Sequence, residues 1–239
     1  MGWVNGAARA GSEPEARETA MADMKLYDAM RTMRSVRRLR PDPIPDDVLG
    51  RIFEAATWAP NGGNRQPWRM IVVRDTAAKK RLGELYTTQW SAYAANAARG
   101  VAHLPEMERA KHMRTIAAGD YLAAHMDQVP VLVVVCFNPA LMAVTDAKQD
   151  RVSVVGGGSV YPAVENLLLA ARAEGLGCVL TTLLCAEEPE VKKLLDIPAE
   201  WGTAAMVPLG YPVGQGHGPI SRKPVSELFY SGRWGKPHP

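Results

Sequence analysis

Arg31-Thr-Met-Arg-Ser-Val-Arg-Arg-Leu-Arg40 places five arginines within ten residues, and a second basic pair, Arg222-Lys223, precedes Pro224 near the other end of the chain. A guanidinium is planar, permanently charged and able to hold two oxygens at once, so arginines in such clusters suit a phosphate. Two clusters meeting at one spot would make a phosphate site; the same arginines spread over a surface would be a solvated basic face. Other chemistries find less support. Gly156-Gly-Gly-Ser159 ahead of a helix is a poor phosphate loop: Tyr161 stands where the dinucleotide fingerprint needs its third glycine, and a Walker lysine is absent. Neither Ser35 nor Ser159 shows a His/Asp partner set. Asp46-Asp47 and Glu187-Glu188 stand at helix starts, where the helix dipole explains them without catalysis. His103, His112, His125, His217 and His238 have no metal-ligand spacing, and Cys136, Cys178 and Cys185 form no Cys-x-x-Cys pair, so no metal is expected.

Bulk properties narrow the class. The chain has 239 residues, enough to bury a substantial core, and its 47% hydrophobic and 22% charged residues are ordinary for a soluble globular protein. A net charge of +3, concentrated around residues 31–40, is too small and too local for a nucleic-acid binder. An odd cysteine count, with Cys136 inside an apolar run, points to the reducing cytoplasm. The longest apolar run, Val129 to Phe137, is too short to span a bilayer, so no membrane is expected. Residues 1–23 are small, polar and acidic, without the apolar core of a signal peptide. They read as a flexible N-terminal arm, with Met21 or Met24 as alternative starts, and Gly6 breaks the myristoylation pattern.

These residues need a frame to hold them. Helical spacing predicts a helix over 24–36, followed by an extended crossing at Pro41, Pro43 and Pro45. Asp46-Asp47 opens a second helix with Val48, Leu49, Ile52, Phe53, Ala55 and Ala56 on its buried face. Asn61-Gly-Gly-Asn64 is a turn, and Arg69 to Arg74 a strand. Residues 76–128 read as mostly helical with an irregular middle at Gly100, His103 and Pro105; a lid insertion at about 86–125 or a plain helical hairpin both fit. Val131 to Phe137 is a continuous apolar run, expected as a central strand covered on both faces. Val160, Val164, Leu167, Leu168 and Ala171 share one helix face, and strands are expected at 177–182 and 203–209 around a short helix at 187–195. The pattern lacks strict βαβ alternation, so the fold expected is α+β: a central mixed β-sheet flanked by helices on both faces.

Four segments in order carry a resemblance to the FMN-dependent nitroreductase superfamily over roughly residues 24–230. They are Met33-Arg-Ser-Val-Arg-Arg-Leu39; Ala59-Pro-Asn-Gly-Gly-Asn-Arg-Gln-Pro-Trp68; Asn166 to Thr182, which ends in Gly-Leu-Gly-Cys-Val-Leu-Thr-Thr; and Val207-Pro-Leu-Gly-Tyr-Pro212 leading to Arg222-Lys-Pro224. The resemblance implies a three-layer sandwich and a homodimer with FMN at the subunit interface. It implies that Arg34, Ser35 and Arg37 hold the FMN phosphate, Arg37 reaching toward the ribityl chain or pyrimidine, and that Arg222 closes the phosphate site. Asn61, Gly62, Asn64 and Gln66 would border the isoalloxazine, some of them from the partner subunit. Leu180, Thr181 and Thr182 would follow the ring edge, and Gly210 would let backbone pass close to the cofactor.

The resemblance further implies an NAD(P)H-dependent oxidoreductase, with NADPH or NADH as reductant and a planar small-molecule electron acceptor such as a nitroaromatic or quinone. The cofactor would carry the redox chemistry, with no essential protein acid or base. Trp90 and Tyr93 are candidates to stack on substrate, against ordinary helix packing. Two departures from the family pattern matter. Met33 stands where many relatives have a further arginine, which places more weight on Arg34 and Arg222. Thr181-Thr182 resembles the iodotyrosine deiodinase branch, yet beside Gln89 and Tyr93 the lid offers no clear acid or lysine for a zwitterion. The alternatives are therefore a reductive dehalogenase of the same superfamily and a flavin-binding protein without efficient turnover.

Overall fold

The computed structural model describes residues 24–238, and the arm expected over 1–23 lies outside the described residues. In chain order the main elements are α1 (Leu26–Thr32), α2 (Asp46–Thr57), β1 (Trp68–Val73), α3 (Thr76–Gly100), α4 (Glu106–Ala124), β2 (Val131–Phe137), α5 (Tyr161–Ala173), β3 (Gly177–Cys178), α6 (Glu188–Leu194), β4 (Gly202–Gly210) and α7 (Val225–Leu228). The strands form one sheet in the order β1-β2-β4-β3.

Strand β2 explains the layering. Six of its seven residues are buried, and the period-two alternation of a strand splits them between two cores. Leu132, Val134 and Cys136 pack with Leu82, Leu85 and Tyr86 of α3. Val131, Val133 and Val135 pack with Leu49 and Ile52 of α2 and with Val164, Leu167 and Leu168 of α5. Each fully buried aliphatic side chain of this kind contributes about 1.5–3 kcal/mol. Helices therefore cover both faces of the sheet, and the chain is an α+β three-layer sandwich.

The sheet is less mixed than expected. Among the described residues all three strand pairings are antiparallel, and parallel pairing is confined to one isolated bridge between Ser35 and Cys178. That bridge also shows why the first helix is shorter than its spacing predicts. α1 ends at Thr32, and Met33 is already extended at φ −66°, ψ 126°. Residues after it run along the sheet edge, where Val36 N–H donates to the Cys178 carbonyl at 2.8 Å. Two glycines facing each other across the β3–β4 pairing, Gly177 and Gly210, make room for this segment. A Cβ on Gly177 would stand 2.8 Å from Val36 Cγ1, and one on Gly210 would stand 3.1 Å from Leu39 Cβ. The third expected strand, 177–182, shrinks to Gly177–Cys178, with Thr181 rejoining β4 through a bridge to Met206.

Residues 76–124 form a helical hairpin, the second of the two forms the sequence allowed. α3 and α4 are both long, and the interruption is limited to residues 101–105. No helix among the described residues is long and apolar enough to cross a membrane, and none of their His, Cys, Asp and Glu side chains cluster in a way that could hold a metal ion.

Candidate functional site

The two arginine clusters meet. Arg34, Ser35 and Arg222 line one cavity of about 120 Å³, closed by Met33, Leu168, Cys178, Val179 and Leu180. Arg34 arrives on the sheet-edge segment and Arg222 on the tail after β4, whose residues pair with that segment: Arg40 N–H donates to the Tyr211 carbonyl at 2.8 Å, and Val213 N–H to the Arg38 carbonyl at 2.9 Å. Among the described residues neither Arg34 nor Arg222 meets a carboxylate; Arg222 donates only to the carbonyl of Ser221 at 2.9 Å. Two unneutralised guanidiniums and a hydroxyl residue around a small cavity form a donor set for a phosphate.

Arg37 goes elsewhere. It lines a second cavity of about 120 Å³ with Trp90 and Tyr93 of α3 and His112, Thr115 and Ile116 of α4. Burial holds its pKa below the ordinary arginine value, against the raising influence of the Tyr86 and Tyr93 phenols. Burial in turn pushes the Tyr86 phenol up to about 12, so this group stays protonated at neutral pH. Arg37 is thus separated from the phosphate-type cavity and set beneath the hairpin, with no acid beside it in the cavity lining.

The two aromatic candidates divide. Trp90 is only 6% exposed; its indole N–H donates to Asp120 Oδ1 at 2.7 Å, and its ring lies where a Cβ on Gly119 would be 2.0 Å away. Its contacts lock α3 to α4, the ordinary helix packing that the sequence weighed against a stacking role. Tyr93, 54% exposed and tilted against Trp90 at 5.5 Å between centroids, presents its ring outward. Gln89, also noted in the sequence, is tied down by a 2.6 Å hydrogen bond from its amide to Glu187 Oε1.

The threonines also part company. Thr181 is buried, exchanges two main-chain hydrogen bonds with Met206 at 2.8 and 3.0 Å, and its hydroxyl accepts from Leu183 N–H at 3.4 Å. Thr182 is exposed and lines a third cavity of about 410 Å³ with Tyr161, Cys185 and Thr203. Leu180 lies in the arginine cavity, so residues 180–182 trace a path from one cavity to the next. Gly210 is a packing glycine under Leu39 and Pro130.

Asn61, Gly62, Asn64 and Gln66 form a tight turn of their own. Gly63, Asn64 and Gln66 have φ of 61°, 52° and 47°, and Asn61 Oδ1 accepts from Gln66 N–H at 2.8 Å. None of the four lines the arginine cavity. The turn packs instead toward Ser159, whose hydroxyl faces Gly62 N–H at 3.5 Å, and Gly156–Ser159 form an ordered 3-10 turn. Sequence reading missed His217. Its Nε2 donates to the buried Leu176 carbonyl at 2.8 Å, and only its place between two glycines hinted at this.

The chain is an α+β three-layer sandwich with an arginine-lined cavity at its sheet edge, and comparison with known proteins gives its family. The chain belongs to the nitroreductase family, whose model matches residues 30–211. It is 33% identical over 209 residues to an NADH dehydrogenase of Thermus thermophilus, covering 82% of this chain and 90% of that one. In structure it is similar to oxidized iodotyrosine deiodinase bound to FMN and 3-iodo-L-tyrosine, with a TM-score of 0.62, 23% identity, and 87% and 99% of the two chains covered. It is also similar to the NADPH:FMN oxidoreductase of Vibrio harveyi complexed with NAD+, with a TM-score of 0.63, 18% identity, and 89% and 79% covered.

Proposed function

We propose that the protein is an FMN-dependent oxidoreductase that takes reducing equivalents from NADPH or NADH and passes them to a planar conjugated acceptor of the nitroaromatic or quinone kind. The observation that carries this reading is the convergence of Arg34, Ser35 and Arg222 on one cavity without an acid to neutralise them. Bound FMN would supply the redox chemistry, accepting hydride from nicotinamide and returning electrons to the acceptor. Arg34 and Arg222 would hold its phosphate through charge-assisted hydrogen bonds. Leu180, Thr181 and Thr182 give a main-chain path leading away from that cavity. Arg37, cationic and partly desolvated, would stabilise negative charge that develops beside it.

Tyr93 is the ring left free to meet an acceptor, and the cavity beneath it holds Arg37, His112 and Thr115 with no carboxylate. A zwitterionic amino acid would need an acid for its ammonium group, and Gln89 already serves Glu187. This favours a planar acceptor over amino-acid dehalogenation. Tyr86 is held protonated and is no general base; the reading assigns no essential protein acid or base, and solvent would protonate the product.

The reading includes a homodimer. The turn at 61–66 lies outside the arginine cavity of its own chain, which is consistent with service to a partner's site. A groove of about 310 Å³ lined by Leu26, Ala29, Trp58, Leu169 and Ala170 supplies an apolar face, with Leu26 and Trp58 both 61% exposed. Sedimentation of the purified chain at twice its 26.0 kDa mass is the expected result.

An absorbance spectrum of the purified protein, followed by anaerobic NADPH and then NADH, tests the whole reading. Flavin that bleaches with either nucleotide supports it. Flavin that stays oxidised shifts the balance to a binding protein without turnover, and absence of flavin together with failure to bind added FMN rejects it.

A further inference from the structure

We propose that His217 is a positioning residue of the phosphate cavity: it pins the tail that carries Arg222 against the segment that carries Arg34. The proposal rests on the FMN reading above. The tail leaves β4 paired with residues 38–40 and then turns through Gly214 and Gly216, at φ 70° and 60°. A Cβ on Gly216 would stand 2.3 Å from Pro212 Cβ, so glycine is required there for fit as well as for dihedral angle. The turn sends His217 inward to the Leu176 carbonyl, 2.8 Å from Nε2, at the junction of α5 and β3. A carbonyl only accepts, so Nε2 carries the proton and Nδ1 presents a lone pair. That Nδ1 is buried without a hydrogen-bond partner among the described residues. The Thr32 main chain also acts on the imidazole, so the ring lies between the end of α1 and the start of β3.

The neighbours place this attachment at the cavity. Gly218 N–H faces the Thr32 carbonyl at 3.5 Å, and Arg172 Nε donates to Thr32 Oγ1 at 3.0 Å, two residues before Arg34. Arg34 and Arg172 both act electrostatically on the imidazole. Beyond Gly218, residues 219–222 show no hydrogen bond to another part of the chain among the described residues. The side chain of His217 is thus the last strong anchor before Arg222.

The test compares FMN with riboflavin, which lacks the phosphate, on the full-length purified protein. His217→Leu keeps bulk and removes the bond; His217→Gln returns an N–H at similar reach. FMN binding should weaken about tenfold in His217→Leu while riboflavin binding changes less than about twofold, and His217→Gln should recover most of the FMN affinity. General loss of fold would weaken both ligands, so equal losses overturn the proposal, as does unchanged FMN affinity or failure of the Gln variant to recover. Failure of the FMN reading itself looks different: the wild type binds neither ligand, or binds both equally, and the proposal falls with it.

Discussion

The helical hairpin and the sheet-edge arginine segment both carry side chains able to do chemistry, but they use them in opposite ways. In the hairpin the polar groups find partners inside the protein: Trp90 with Asp120, Gln89 with Glu187, and buried Lys79 with the Val129 carbonyl at 2.7 Å. On the sheet edge, Arg34 and Arg222 stand around a cavity without an acid. Satisfied groups hold a fold together, whereas adjacent uncompensated cations destabilise it unless a ligand answers them. The contrast separates scaffold from site more clearly than residue type does, because arginine also serves as scaffold in this molecule. Arg51 donates to Glu174 at 2.8 and 2.9 Å and to Asp47 at 3.0 Å.

Four experiments would break or sharpen this comparison. Trp90→Ala should have the largest effect, lowering stability by about 3–5 kcal/mol in denaturant unfolding, as expected for an emptied aromatic site. If stability held while acceptor turnover collapsed, Trp90 would belong to the site after all. Arg34→Ala and Arg222→Ala should each weaken FMN binding by about 1.5–3 kcal/mol, with Arg34 the more severe, while leaving the thermal midpoint of the flavin-free protein unchanged. A stability loss equal to that of Trp90→Ala would erase the distinction between the two regions. Gln89→Leu should lower the thermal midpoint by the equivalent of about 1 kcal/mol, with FMN content intact; a switch toward halotyrosine turnover would show instead that this amide restrains the site.

The smallest effect is a pH dependence. Burial first, then Arg172 and Arg34, lowers the pKa of His217 below its ordinary value of 6.5. The unfolded chain therefore takes up the proton at higher pH than the fold does. The stability contributed by neutral His217 is complete above pH 6.5 and is lost as pH falls through the depressed native value. Thermal midpoints compared between wild type and His217→Leu from about pH 8 to about pH 5 should converge on acidification. Parallel curves would remove His217 from the account.

Much of this was readable from residue order. The buried run of β2, the apolar stripe of α5 and the acidic start of α2 follow from periodicity and charge, since burial on a regular element repeats with that element's period. The meeting of Arg34 with Arg222 was implied by the family resemblance; residue type alone left a solvated basic face equally open. Helix α1 was overestimated because its propensity lost to edge pairing with Cys178, a contact between residues over 140 positions apart. Arg37 was grouped with Arg34, yet odd spacing in extended chain puts two side chains on opposite sides.

The sequence by itself determined the layers, the order of the elements and the family, because hydrophobic period and motif order are local properties of the chain. Tertiary structure decided which chemically able side chains are spent and which are free. Trp90 was committed by Gly119 and Asp120 on another helix, Thr181 by Met206, and His217 by the carbonyl of Leu176. Each of those choices depends on a partner remote in sequence, and only packing brings such partners within hydrogen-bond reach.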